Sequence, residues 1–219
     1  MKVLHIPCFS LSDPLPVLQE NVGKLKAYSS VGLIATAQHL NKIDGVARFL
    51  EEKGKRVLVG GQVLGCSQHA ALRIQDKVEC FLYIGSGRFH PIGVALKTAK
   101  PVFVLNSISR VFDLIKDEER ESWQRKQKAR ISRAAAAETF GILVSTKDGQ
   151  FNLKKAEDLK KKIKAKGRKA FIFTGGELSP ENLLPFKVDC WINTACPRIT
   201  DDEHSKPVLN PEELEYLNL

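Results

Sequence analysis

A repeat constrains this chain more than any other feature. Val78-Glu79-Cys80-Phe81 returns as Val188-Asp189-Cys190-Trp191, and the segments around the two copies follow in the same order. Phe140-Gly141-Ile142-Leu143-Val144 matches Val31-Gly32-Leu33-Ile34-Ala35, and Lys206-Pro207-Val208 echoes Lys100-Pro101-Val102. A segment that recurs in this way is one supersecondary unit used twice, so two lobes of one design are expected.

Each copy alternates apolar strand patterns with helical spacing. In the first half, strands are predicted at Lys2 to Phe9, Val31 to Ala37, Arg56 to Val59 and Val78 to Ile84, the third as a buried parallel strand. Asp13-Pro14 opens a helix with the apolar face Leu15, Leu18, Val22 and Leu25, and Asn41 caps another carrying Ile43, Val46, Phe49 and Leu50 up to Gly54. In the second half, Pro101 to Leu105 is matched to the first strand, and a long helix is predicted from about Val111 to Glu138. Strands at Phe140 to Val144, Lys169 to Phe173 and Val188 to Ile192 follow, with a helix through Leu153, Ala156, Leu159 and Ile163 that ends at Gly167. The expected fold class is α/β: two homologous Rossmann-like β-α lobes with mostly parallel sheets, over residues 1–107 and 108–219.

In open parallel sheets, ligands bind beyond the carboxyl ends of the strands. The unusual residues of this sequence gather there: Gln38-His39, Gly60 to Cys66, Gly85 to His90, Ser145 to Gln150, Gly175-Gly176-Glu177 and Thr194 to Arg198. The glycines of Gly60-Gly61-Gln62-Val63-Leu64-Gly65-Cys66-Ser67 let the backbone turn sharply and present a cysteine. A second cysteine has a comparable setting in Asn193-Thr194-Ala195-Cys196-Pro197-Arg198-Ile199. If the rims of the two lobes face one another across an active-site cleft, Cys66 and Cys196 meet there. Cys80 and Cys190 lie inside strand patterns and are assigned to the core.

The five cysteines include no Cys-x-x-Cys pair, which excludes a self-contained zinc finger, and their scatter does not suit a disulfide framework. No apolar run approaches the roughly 18 residues of a membrane span and no signal peptide is recognisable, so a cytoplasmic location is expected. The formal charge of +9 is concentrated between Lys154 and Lys169, where nine Lys or Arg face only Glu157 and Asp158. Aromatic residues are not interleaved with them, and no nucleic-acid role is assigned on charge alone. Gly85-Ser86-Gly87-Arg88-Phe89-His90 has histidine where a dinucleotide fingerprint needs its last glycine. A Walker loop, a nucleophile elbow, a His-Glu-x-x-His helix and the clustered cysteine triplet of standard radical S-adenosylmethionine enzymes are all absent.

Four stretches together carry a resemblance. Gly61-Gln62-Val63-Leu64-Gly65-Cys66, Tyr83-Ile84-Gly85-Ser86-Gly87-Arg88-Phe89-His90-Pro91, Gly141-Ile142-Leu143-Val144-Ser145-Thr146-Lys147 and Asn193-Thr194-Ala195-Cys196-Pro197-Arg198-Ile199 resemble, in order, the diphthamide synthase family of archaea and eukaryotes. The resemblance implies a non-standard radical enzyme: a 4Fe-4S cluster held by three cysteines cleaves S-adenosylmethionine. A 3-amino-3-carboxypropyl group then passes to a histidine of translation elongation factor 2. By motif match, Cys66 and Cys196 stand for two of the cluster ligands. Gln38, Gly85, Ser86, Gly87, Arg88, His90, Ser145, Thr146 and Gln150 are candidate contacts for S-adenosylmethionine. His39 and His90 are candidate supporting partners.

The resemblance matches the family's second and third domains, and the first domain with its cluster cysteine is not recognised. Cys8 matches no cluster motif, and the third ligand is unassigned. Asp148 also stands where the family loop often carries proline. Three functions follow. The favoured one is a component of a split or heteromeric synthase, with a paralogue or separate chain supplying the missing cysteine in a homo- or heterodimer. The others are a non-catalytic accessory subunit of that synthase and a two-lobed nucleotide- or metabolite-binding protein without a cluster.

Overall fold

A computed structural model describes residue 4 and residues 6–219. These residues divide into two compact units, one up to Glu121 and the other from Ser122 onward.

The first unit contains α1 (Leu15–Asn21), β1 (Ser30–Ala35), α2 (Ile43–Glu52), β2 (Arg56–Gln62), α3 (His69–Leu72), β3 (Cys80–Ile84), α4 (Phe89–Thr98), β4 (Val102–Asn106) and β5 (Val111–Leu114). Its sheet has the order β2-β1-β3-β4-β5, parallel except for β5. Val17, Leu18, Val46 and Leu50 of α1 and α2 pack with Leu33 and Leu82 on one face. Ala71, Val94 and Ala95 of α3 and α4 pack with Phe81 and Tyr83 on the other. Two covered faces explain why β1 and β3 read as unbroken apolar runs.

The second unit contains most of α5 (Asp117–Ala134), then β6 (Thr139–Ser145), α6 (Leu153–Ala165), β7 (Lys169–Gly175), α7 (Pro180–Leu183), β8 (Cys190–Asn193) and β9 (Val208–Leu209). Its all-parallel sheet has the order β7-β6-β8-β9, the same arrangement as β2-β1-β3-β4. Asn152 caps α6 by accepting from Lys155 N–H at 3.2 Å. Ala156, Leu159 and Ile163 enter the core while most of the lysines remain exposed.

The duplicated tetrapeptide has the same structural task in both units. Glu79 Oε2 accepts from the backbone N–H groups of Ser29 and Ser30 at 2.5 and 3.2 Å, fixing the start of β1. Asp189 Oδ2 does the same for Glu138 and Thr139 at 3.1 and 2.8 Å, fixing the start of β6. The following cysteine is buried in each core, and the aromatic residue after it lies over a glycine. Phe81 is paired with Gly32 and Trp191 with Gly141. An added Cβ would stand 2.8 Å from the Phe81 ring at Gly32 and 2.3 Å from the indole at Gly141.

Several expectations need correction. Ile6 to Phe9 form no strand, and Met1, Lys2, Val3 and His5 lie outside the described residues. Val102 to Leu105 belong to β4, the fourth strand of the first sheet, so the counterpart of this segment is β9. The helix predicted from Val111 starts only at Asp117, because residues 111–114 pair antiparallel with β4 and keep the first unit going beyond residue 107. The strand beginning at Arg56 is an edge strand with Val59 44% exposed, not a buried one. Asn41 lies inside a 3-10 turn (Ala37–Lys42), and no side chain caps α2.

Candidate functional site

Cys66 follows β2. Gly60 and Gly61 lie within the strand, where the register slips between Leu33 and Ile34. A Cβ at Gly60 would stand 2.7 Å from the Ala70 carbonyl, and Gly61 has φ +100°, so the bulge requires both glycines. The reversal comes just after, where Leu64 and Ser67 exchange backbone hydrogen bonds of 2.9 and 3.1 Å. Gly65 and Cys66 are the two central residues of that turn, and Cys66 is a free, exposed thiol. Buried Gln68 holds the turn from beneath, its Nε2 donating to the Leu64 and Gly65 carbonyls at 3.1 Å each. A hollow of about 340 Å³ lined by Gly60, Gln62, Leu64, Ser67, His69 and Arg73 lies beside it.

Cys196 follows β8 and is a free, half-buried thiol. Its loop is also held by a buried carboxamide. Asn193 Nδ2 donates to the Cys196 carbonyl at 2.8 Å, and Asn193 Oδ1 accepts from Ala195 N–H at 3.0 Å. Thr194 is tied to the Leu143 carbonyl by its backbone and by its hydroxyl, at 3.1 and 2.7 Å. Cys66 and Cys196 thus lie at the carboxyl ends of strands that flank β1 and β6, but the two positions do not correspond. The first unit has its cysteine after β2 and a Gly-Ser-Gly-Arg loop after β3, whereas the second has Gly175-Gly176-Glu177 after β7 and its cysteine after β8.

The remaining thiols separate clearly. Burial pushes the Cys80 thiol up to about 12, with Glu79 adding to the effect, and it pushes Cys190 higher still, with Glu213 and Asp189 adding to it. Neither can serve as a thiolate near neutral pH. Cys8 is exposed. Among the described residues, no three His, Cys, Asp or Glu side chains gather as a metal site. What suits a metal cluster is therefore the pair Cys66 and Cys196, each a reachable thiol on a turn gripped by a buried amide.

The other candidate residues have mixed settings. Gln38 is half-buried, and its carbonyl accepts from Ser10 N–H at 2.8 Å. Nearby, Thr36 Oγ1 and His39 Nδ1 are buried without a hydrogen-bond partner among the described residues, and desolvation lowers the pKa of His39. An added Cβ at Gly85 would lie 2.5 Å from Tyr83 Oη and 3.0 Å from Thr36 Oγ1. The Ser86 carbonyl accepts from Tyr83 Oη at 3.2 Å, and Gly87 turns the loop with φ +72°. His90 stacks on Tyr83 with ring centroids 6.1 Å apart.

Arg88, one of the candidate contacts for S-adenosylmethionine, is engaged with two carboxylates. Its guanidinium donates to Glu119 at 3.0 and 2.5 Å and to Asp113 at 3.2 Å. The Glu119 hydrogen bond raises the pKa of Arg88, and Arg88 holds the Glu119 carboxyl below its usual range. In the second unit, buried Ser145 accepts from Lys147 N–H at 3.1 Å, Thr146 is exposed, and Gln150 N–H bonds the Lys147 carbonyl at 3.1 Å. Sequence reasoning passed over Gln68, the Arg88 partners and the buried residues behind Cys196. One signal was present: Asn210 with Glu213 three residues later spells a capping box.

The family model described as "Putative diphthamide synthesis protein" matches residues 1–218. The chain is 34% identical to the 2-(3-amino-3-carboxypropyl)histidine synthase of Pyrococcus horikoshii, over 98% of its own length and 65% of that protein's. It is 33% identical to subunit 1 of the Caenorhabditis elegans synthase, over 96% of its own length and 54% of the relative's. The crystal structure of Dph2 from Pyrococcus horikoshii superposes with a TM-score of 0.87 at 34% identity, covering 95% of this chain and 63% of that one. A crystal structure of the same protein with a 4Fe-4S cluster superposes with a TM-score of 0.86. The chain thus spans under two thirds of the length of these relatives. Matched across nearly all of its own residues in sequence and in fold, it belongs to the diphthamide synthesis protein family.

Proposed function

We propose that the chain is a component of a 2-(3-amino-3-carboxypropyl)histidine synthase, with Cys66 and Cys196 each supplying a thiolate to a 4Fe-4S cluster. The observation that carries this reading is the contrast among thiols. Cys66 and Cys196 stand free at strand carboxyl ends on braced turns, while Cys80 and Cys190 are buried and held protonated. Family membership and the cluster in the Pyrococcus horikoshii structure support it.

A cluster held by three thiolates keeps one iron open for a substrate, and when bound it supplies the electron that cleaves S-adenosylmethionine. The chain's own residues position the reactants. Loop N–H groups at Ser86 and Gly87 suit the methionine carboxylate, with Gly85 N–H held by the Leu105 carbonyl at 3.0 Å, while Arg88, engaged with Glu119 and Asp113, holds that loop in place. Gln38 and His90 in the first unit, and Ser145, Thr146 and Gln150 in the second, are the remaining candidate contacts for S-adenosylmethionine. The recipient is a histidine of translation elongation factor 2, and the setting is the cytoplasm. Cys8 matches no cluster motif of the family, and the third thiolate comes from a partner polypeptide, a family paralogue or a second copy.

Anaerobic reconstitution tests this. With a family partner present, iron and sulfide should approach one 4Fe-4S per complex, and electron paramagnetic resonance of the reduced sample should change on adding S-adenosylmethionine. Cys66→Ser and Cys196→Ser should each lower iron content severalfold, and Cys80→Ser should not. Full modification activity from a chain lacking both Cys66 and Cys196 would instead identify an accessory subunit.

A further inference from the structure

Behind Cys196 lies a closed circuit of buried polar side chains that the proposed function does not use. Asn193 Nδ2, besides holding the Cys196 carbonyl, donates to Asn210 Oδ1 at 3.2 Å. Asn210 N–H donates to Glu213 Oε2 at 2.8 Å. Glu213 Oε1 accepts from Gln127 Nε2 at 2.8 Å and from Arg130 at 3.0 Å. Arg130 then donates to the Thr200 carbonyl at 3.2 Å, and Thr200 Oγ1 donates to the Pro197 carbonyl at 2.8 Å. Both carbonyls flanking the Cys196–Pro197 peptide are therefore tied, from opposite directions, to one carboxylate.

The burial is unusual for such groups. Glu213 is 1% exposed, Asn193 2%, Thr200 5% and Asn210 9%. A buried carboxylate needs a cation and saturated lone pairs to be tolerated, and Glu213 has Arg130, an amide and a backbone N–H. Hydrophobic packing could hold the last 3-10 turn (Pro211–Leu217) against the sheet without any of this polarity. What the circuit adds is direction, because hydrogen bonds fix a loop in one conformation where apolar contacts let it slide.

We propose that Glu213, with Arg130, Asn210 and Asn193, is a positioning device for Cys196, locking its loop so that the thiol is presented in one orientation. This rests on the reading of Cys196 as a cluster ligand, yet the locking itself can be measured without metal. Gln68 has the corresponding role beneath Cys66, through its two donations to the Leu64 and Gly65 carbonyls.

The test is iodoacetamide alkylation of the full reduced chain, with the rate at each cysteine followed by peptide mass spectrometry. Glu213→Gln and Asn210→Ala should each change the Cys196 rate by at least about fivefold, as the loop begins to open locally, and leave Cys66 unchanged. Gln68→Ala should show the reverse. Cys190 is an internal guard: if it becomes reactive in Glu213→Gln, which also removes a charge that holds its proton, the reading is taken from Asn210→Ala. That variant keeps the ion pair and its Thr200 branch and removes the Asn193 contact together with the side-chain cap of the last 3-10 turn. An unchanged Cys196 rate in Asn210→Ala, with Cys190 still protected, would overturn the proposal. In the cluster-loaded complex, Glu213→Gln should also alter the electron paramagnetic resonance line shape. If the alkylation effect is present but the wild-type complex takes up no iron, the ligand reading fails and the positioning stands.

Discussion

Four of the cysteines divide by environment, and the division has a pH signature. Cys80 and Cys190 keep their protons in the folded chain, whereas an unfolded chain releases them above about pH 8.5. The unfolded state therefore binds fewer protons in this range, and stability falls as pH rises from about 8.5 towards 12, on the order of 1 kcal/mol per pH unit for each thiol. Urea titrations between pH 8 and 10.5 should show this slope, and Cys190→Ala should flatten it while lowering stability at pH 7. A slope unaltered in the variant would place the alkaline effect elsewhere. The identity of the core thiols was legible in the sequence because both lie in apolar strand patterns. The glycine run also pointed to a presented Cys66, but the buried Gln68 that braces its turn was not legible.

Between elements, the repeat is held by a few close contacts. Gly141 of β6 lies beneath Trp191 of β8, whose ring is packed edge-on by Phe173 and Phe186 with centroids 4.9 and 6.2 Å away. The indole has little room to retreat. Gly141→Ala should destabilise the chain by about 1–3 kcal/mol, and Gly32→Ala by less, because the Phe81 ring stands 2.8 Å from the added Cβ instead of 2.3 Å. Thermal unfolding of the two variants checks the order, and equal midpoints would show that Trp191 can shift. The repeated motif was visible as residues, but its division of labour was not. Glu79 and Asp189 clamp strand starts about 50 residues earlier in the chain, a pairing that no local pattern encodes.

Across the first unit, Arg88 joins the loop after β3 to β5 and the start of α5 through Asp113 and Glu119. Because Arg88 depresses the Glu119 pKa, the stability this contact gives is present above the ordinary glutamate range and is lost as pH falls through the lowered folded value. An acid titration of the wild type should therefore lose stability on descending below about pH 4.3, and Glu119→Gln should lose less over the same interval. Identical acid limbs would remove the contact from the account. The contribution is small, since both side chains are about one third exposed. A Gly-Ser-Gly-Arg loop shows the cation but not the carboxylates that reach it from 25 and 31 residues away.

The sequence alone determined the alternating α/β design and its duplication, because strand and helix periodicity and turn chemistry are local, while four motifs in order carried the resemblance that implied Cys66 and Cys196 as candidate ligands. Tertiary structure decided the rest. It made β2 an edge strand and turned residues 111–114 from helix into β5, since pairing with β4 satisfies backbone groups that local propensity leaves open. It also brought Asn193, Asn210, Glu213 and Arg130 together behind Cys196 from sequence separations of up to 83 residues. A buried carboxylate is tolerable only where folding gathers its partners, and no stretch of chain short enough to read as a motif contains them all.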